Sequence, residues 1–139
     1  MRTHGRTARR AARATYVLPR SETSAWWARY LTTAYLSHGC GEQVTPEQLD
    51  DARLVVSELV TNATRHGRSN CRLQLRVAHG QVTVQVYDNS PERPRLPTSA
   101  VDPLAEGGRG IAMVRGLSER FSVLGGPGTG KTVQAVLAC

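Results

Sequence analysis

Cys71-Arg72-Leu73-Gln74-Leu75-Arg76-Val77-Ala78 and Gln81-Val82-Thr83-Val84-Gln85-Val86-Tyr87-Asp88, joined by His79-Gly80, alternate apolar and polar residues twice over. Period-two alternation marks a strand with one face on a core, and two such runs across a two-residue turn make a β-hairpin. Leu73, Leu75 and Val77 form one apolar face, and Val82, Val84 and Val86 another. In front of the hairpin the period changes. Thr45-Pro46-Glu47-Gln48 reads as a helix start, with Thr45 as N-cap, Pro46 at the first helical position and Gln48 completing a capping box. A helix from there to about His66, with Gly67 beyond its end, carries Leu49, Ala52, Val56, Leu59, Val60 and Ala63 as its core stripe. Ser21 caps an earlier helix running to about Gly39, in which Trp27, Leu31, Ala34 and Tyr35 share a face read as core. Downstream, residues 111–117 suit a helix, and residues 121–124 and 132–138 two closing strands. Residues 89–106, with Pro91, Pro94, Pro97 and Pro103, predict a long loop of the kind that serves as a lid or binding loop. The predicted architecture is an α+β two-layer sandwich, a mixed, mostly antiparallel sheet with helices on one face.

The chain has 139 residues, 40% of them hydrophobic, which suits one domain around one core. No apolar run is long enough to span a membrane. The net charge is +7, and the first twenty residues hold Arg2, Arg6, Arg9, Arg10, Arg13 and Arg20 with no acid. The remaining residues carry 12 basic and 11 acidic side chains, so no basic face on the body stands out and nucleic acid is not an expected partner. Residues 1–17 are predicted as a disordered basic tail and 18–139 as the folded domain. The tail lacks the apolar segment of a secretory signal; its Arg-rich, acid-free start also resembles a transit peptide. Cys40, Cys71 and Cys139 are odd in number and lack metal-ligand spacing, which fits free thiols in a cytoplasmic protein.

Gly125-Gly126-Pro127-Gly128-Thr129-Gly130-Lys131-Thr132 matches G-x-x-x-x-G-K-[ST]. A P-loop needs a helix after it, but the seven residues that follow are strand-like, so a glycine-rich hairpin turn is expected instead.

Three features carry chemistry. Glu58 and Asn62 stand one turn apart, off the core stripe of the second helix. They read either as a solvated polar face or as a carboxylate and carboxamide able to hold Mg²⁺, with Glu58 also a base toward a hydroxyl. Asp88 shares the face of Val82, Val84 and Val86, so it needs a donor: a purine amino group, or the following loop, which it would cap. Gly107-Gly108-Arg109-Gly110 opens a helix, either as a mere turn or as a backbone approach to phosphates with Arg109 adding charge.

In this order the three resemble the gyrase, heat-shock chaperone and histidine-kinase ATPase superfamily, over about residues 19–139. The chain is most similar to the short anti-sigma-factor serine/threonine kinases of bacteria. Glu58-Leu-Val-Thr-Asn62-Ala-Thr-Arg-His66-Gly67 resembles the N-box, Val86-Tyr87-Asp88 the G1 segment, Gly107-Gly-Arg-Gly110 the G2 box, and Gly130-Lys131-Thr132-Val133 the G3 box. The resemblance implies the Bergerat-type ATPase fold and ATP with Mg²⁺ as cofactors. It makes Asn62 the metal ligand and Glu58 the catalytic base, and Arg109 is the candidate to substitute, from a different position, for the arginine of kinase members. Asp88, with Thr132 nearby, would bind adenine, Gly108 and Gly110 would line the phosphates, and His66 and Lys131 fall within nucleotide-binding boxes. The implied activity is phosphorylation of a serine on a small antagonist protein, with a sigma factor as a second partner and a homodimer as the assembly. The alternative is a binding module that sequesters such a partner without turnover. The chain departs from the family where G1 has two glycines, holding Ser90 and Glu92 with Pro91 between, and has Glu106 where kinase members carry arginine.

Overall fold

The hairpin forms as its alternation dictates. The computed structural model describes residues 13–40, 43–66, 69–89, 108–125 and 130–138. Strands β2 (Cys71–Ala78) and β3 (Gln81–Asp88) pair antiparallel with Ala78 opposite Gln81. His79 and Gly80 both adopt positive φ, at 56° and 73°, the geometry of a two-residue turn whose twist matches the strands. Strand β1 (Arg13–Leu18) pairs with β2, and β4 (Arg120–Gly125) and β5 (Lys131–Ala138) form a second hairpin whose β5 pairs with β3. The order across the sheet is β1-β2-β3-β5-β4, and every pairing is antiparallel.

β1 corrects the expected boundary of the tail. Ala14, Tyr16 and Leu18 alternate as a strand should, but the arginines around them gave the stretch a disordered composition. Pairing with the ready edge of β2 supplies the backbone hydrogen bonds that such a short run lacks alone. Residues 1–12 lie outside the described residues. The P-loop match resolves as expected: residues 131–138 are a strand, and Lys131 lies opposite Gly125 in the β4–β5 hairpin.

Helix α1 (Ser24–Ala34) continues into a π-helical turn, Tyr35–Gly39, and α2 (Pro46–His66) and α3 (Gly108–Leu117) follow. The capping box forms at the start of α2. The Gln48 N–H donates to Thr45 Oγ1 at 3.1 Å, and the Thr45 N–H donates to Gln48 Oε1 at 2.9 Å. α2 packs on β2, β3 and β5 and is flanked by α1 and α3, so the helices form one layer over one sheet face. Being covered on several sides, α2 buries more than the predicted stripe: Val55, outside it, is as buried as Val56 and Val60.

α1 corrects a second expectation. It is not Trp27 but Ser24, Ala28 and Thr32 that face inward, with Tyr35 and Leu36 in the next turn. Small residues let α1 lie close to α2, which leaves no room for an indole. Trp27 is 48% exposed and Ala34 is exposed as well. Trp26, Trp27 and Tyr30 pack on one another outside, the Trp26 and Tyr30 rings stacking at 5.9 Å. Tyr35 ties this layer to the sheet, its hydroxyl accepting the Val77 N–H at 3.2 Å.

Candidate functional site

The 3.6-residue period of α2 places Glu58, Asn62 and His66 along one line of the helix, next to its buried residues Leu59 and Ala63. Glu58 and Asn62 are half-buried, while His66, at the helix end, is exposed. The first turn of α3 arrives against this line. A Cβ placed on Gly110 would overlap the Glu58 carboxylate, so the glycine is what lets the start of α3 and the carboxylate meet. Two segments far apart in sequence therefore converge: Glu58, one turn from Asn62, and Gly110 in the first turn of α3. The first amides of a helix have no partners within it and carry the positive end of its dipole, which makes them donors for an anion. Gly108 and Arg109 belong to that first turn; the Arg109 side chain lies outside the described residues, as do Gly107 and the loop 90–107.

The other end of the site differs from expectation. Asp88 is 1% exposed on the helix-facing side of β3, at the strand's end as predicted. Its partner is Lys131, directly opposite on β5, with Nζ 3.0 Å from one carboxylate oxygen and 3.1 Å from the other. Lys131 is itself 3% exposed. The carboxylate thus has a protein donor that the sequence reading did not name; of the two alternatives read there, a purine amino group and the following loop, the loop lies outside the described residues. Lys131, assigned to the nucleotide, is turned to Asp88. Thr132, placed near Asp88 by resemblance, lies opposite Tyr87 on the other face of the sheet, because side chains alternate along β5. Cys71 is the third polar group at this end of the helix-facing side. Burial first, and the Asp88 charge second, push its thiol up to about 11. Gly130 sits under the Tyr87 phenol and the Asp88 carbonyl, where a Cβ would collide with both.

The donor set fits a magnesium nucleotide at the phosphate end. Asn62 and Glu58 offer hard oxygens one turn apart, and α3 offers its first amides. No cluster of three or more His, Cys, Asp or Glu able to hold a metal by itself occurs among the described residues. At the base end a purine amino group has to compete with Lys131 for Asp88.

One neighbouring feature went unread in the sequence. A groove of about 420 Å³ runs beside the C-terminal half of α2, between Arg20, Ser21 and Glu22 on one side and Thr61, Thr64 and Arg65 on the other. Arg20 Nε donates to the Thr64 carbonyl at 3.2 Å. Thr61 and Arg65 follow Glu58 by one and two turns, so the groove adjoins the carboxylate's line on the helix. Only the apposition of α2 with the segment leading into α1 creates it, and no local pattern announces that contact.

A family model described as a histidine kinase-like ATPase domain matches residues 19–137. Among solved structures, the NMR structure of the histidine kinase domain of the E. coli osmosensor EnvZ is similar at 12% identity, covering 92% of this chain and 88% of that one, with a TM-score of 0.48. No curated protein matches. No helix among the described residues is long and apolar enough to cross a membrane.

Proposed function

Because the chain belongs to the histidine kinase-like ATPase domain family, we propose that it is an ATP-dependent protein serine/threonine kinase of the anti-sigma-factor type. Its substrate is a small antagonist protein, and it works in the cytoplasm as a homodimer that also holds a sigma factor. The observation that carries the reading is the contact of Glu58 with Gly110, which brings the carboxylate, one helical turn from the Asn62 carboxamide, to the start of α3. When bound, magnesium ATP supplies the transferable phosphoryl group and the charge neutralisation that its transfer requires. Asn62 would offer its carboxamide oxygen to the metal, and the amides of Gly108–Gly110 would donate to phosphate oxygens. Glu58 would accept the proton of the acceptor hydroxyl during phosphoryl transfer to that oxygen, with ADP as the leaving group. The groove along Thr61, Thr64 and Arg65 is the approach for the acceptor segment.

Glu58→Gln tests the assignment: radiolabel transfer to a partner recovered by pull-down is lost, while ATP binding is kept. Transfer at the wild-type rate removes Glu58 from the role.

A second reading is supported by the buried Asp88–Lys131 pair. An adenine pocket whose carboxylate is already engaged fits a module that holds its partner without turnover. In that case ATP with Mg²⁺ produces no thermal shift, yet the partner is still captured.

A further inference from the structure

The sheet has a second face, and its composition is unlike the rest of the molecule. The helix-facing side carries the core, Asp88 and Lys131. The strand register sorts the opposite side into rows that cross all five strands. One row runs Arg13, Arg76, Thr83, Val136, Arg120. The next is made of amides and hydroxyls: Thr15, Gln74, Gln85, Gln134, Ser122. The third runs Val17, Arg72, Tyr87, Thr132, Leu124, with Val17 66% and Leu124 50% exposed. Among the described residues this face holds four arginines, and one carboxylate stands at its margin: Glu119, just before β4, which accepts from Gln81 at 2.8 Å. Charge counted along the chain hides the face, because its arginines come from three separate strands and the acids fall elsewhere.

Two observations ask for an anion here. Arg13 and Arg76 are directly opposed across β1 and β2, an arrangement of like charges that costs stability unless something negative lies between them. A cavity of about 240 Å³ is lined by these two arginines together with Arg120 and Gln134. The rows also have a direction. Guanidinium groups lie on one side and amides in the middle, with an aromatic, apolar strip beyond in which the Arg72 guanidinium sits 4.9 Å over the Tyr87 ring. A single-stranded nucleic acid has the same cross-section: phosphates on one side, and bases with hydrogen-bonding edges and flat faces on the other. An acidic peptide matches the arginines but has nothing to stack on the third row. In sequence, the twelve residues before Arg13 add Arg2, Arg6, Arg9 and Arg10 and no acid.

We propose that the open face of the sheet binds single-stranded nucleic acid, with Arg13, Arg76 and Arg120 on phosphates and the Arg72–Tyr87 stack under a base. This surface is on the far side of the sheet from the candidate nucleotide site, so the inference stands or falls independently of the kinase reading.

Fluorescence anisotropy of the full chain with a labelled 15-nucleotide oligo-uridine tests it. Binding is expected, with log K falling against log salt at a slope of about −3 or steeper, since each contacted phosphate on a single strand contributes about 0.7. Arg76→Gln with Arg120→Gln leaves the N-terminal arginines intact. It is expected to weaken binding about tenfold or more and to flatten the slope by about 1.4, with an unchanged or raised melting temperature because the Arg13–Arg76 repulsion is gone. Tyr87→Phe keeps the ring and keeps binding, whereas Tyr87→Ser weakens it. Unaltered binding by the double variant overturns the proposal, as do equal affinity for polyglutamate of the same length and equal affinity for duplex DNA.

Discussion

Gly110 and Gly130 stand at opposite ends of the candidate site, and neither has room for a Cβ, for different reasons. At Gly110 the obstacle is the tip of the Glu58 side chain, which can swing away. At Gly130 it is the Asp88 carbonyl and the Tyr87 phenol, part of the paired β3–β5 framework. The phosphate end is thus an adjustable meeting of a side chain with a helix start. The base end is fixed by strand pairing and closed by an ion pair. An account of function that treats the two ends alike misjudges both.

The ion pair gives the comparison its largest test. Lys131→Met leaves the Asp88 carboxylate buried without its ammonium, and the expected loss of stability is about 3–5 kcal/mol in urea denaturation. Adding Asp88→Asn restores most of it, because the uncompensated charge is removed. A Lys131→Met variant as stable as the wild type shows that the base end is open to water and breaks the contrast.

The glycines come next. Gly130→Ala is expected to cost about 1–3 kcal/mol, since backbone must move to admit the methyl group. Gly110→Ala is expected to cost less than about 1 kcal/mol, yet to reduce phosphoryl transfer as strongly as Glu58→Gln does, because the methyl group displaces the carboxylate. Equal destabilisation by the two substitutions erases the distinction between a fixed and an adjustable end.

The last test is a pH dependence at the fixed end. The Cys71 thiol is raised to about 11 from 9.0, so as pH rises between these values the unfolded chain releases this proton while the folded chain retains it. Stability therefore falls across that window. Cys71→Ala flattens the decline, as read by denaturation midpoints at pH 8 and pH 10.5; an unchanged slope places the thiol in contact with solvent.

What the sequence disclosed follows from the range of the interactions involved. The Thr45–Gln48 box, the His79-Gly80 turn and the alternation of β2 and β3 are local devices, complete within a few residues, and each forms as read. The convergence of Glu58 with Gly110 was reachable only through resemblance, because the segments are joined by tertiary packing. The Asp88–Lys131 pair depends on the β3–β5 register, and the arginine row on the register of the whole sheet. Register cannot be read from composition. Trp27 was misplaced because helical periodicity fixes the width of a buried stripe and leaves its rotation open; the close fit of Ser24, Ala28 and Thr32 against α2 decided that.

Isothermal titration of ATP into the wild-type protein and Asn62→Ala, each with and without Mg²⁺, probes the shared phosphate end most directly. The expected result is wild-type binding strengthened by Mg²⁺, with the Asn62→Ala deficit confined to the titrations containing the metal. No heat from the wild type, or an equal deficit with and without Mg²⁺, contradicts the placement of a magnesium nucleotide between α2 and the start of α3.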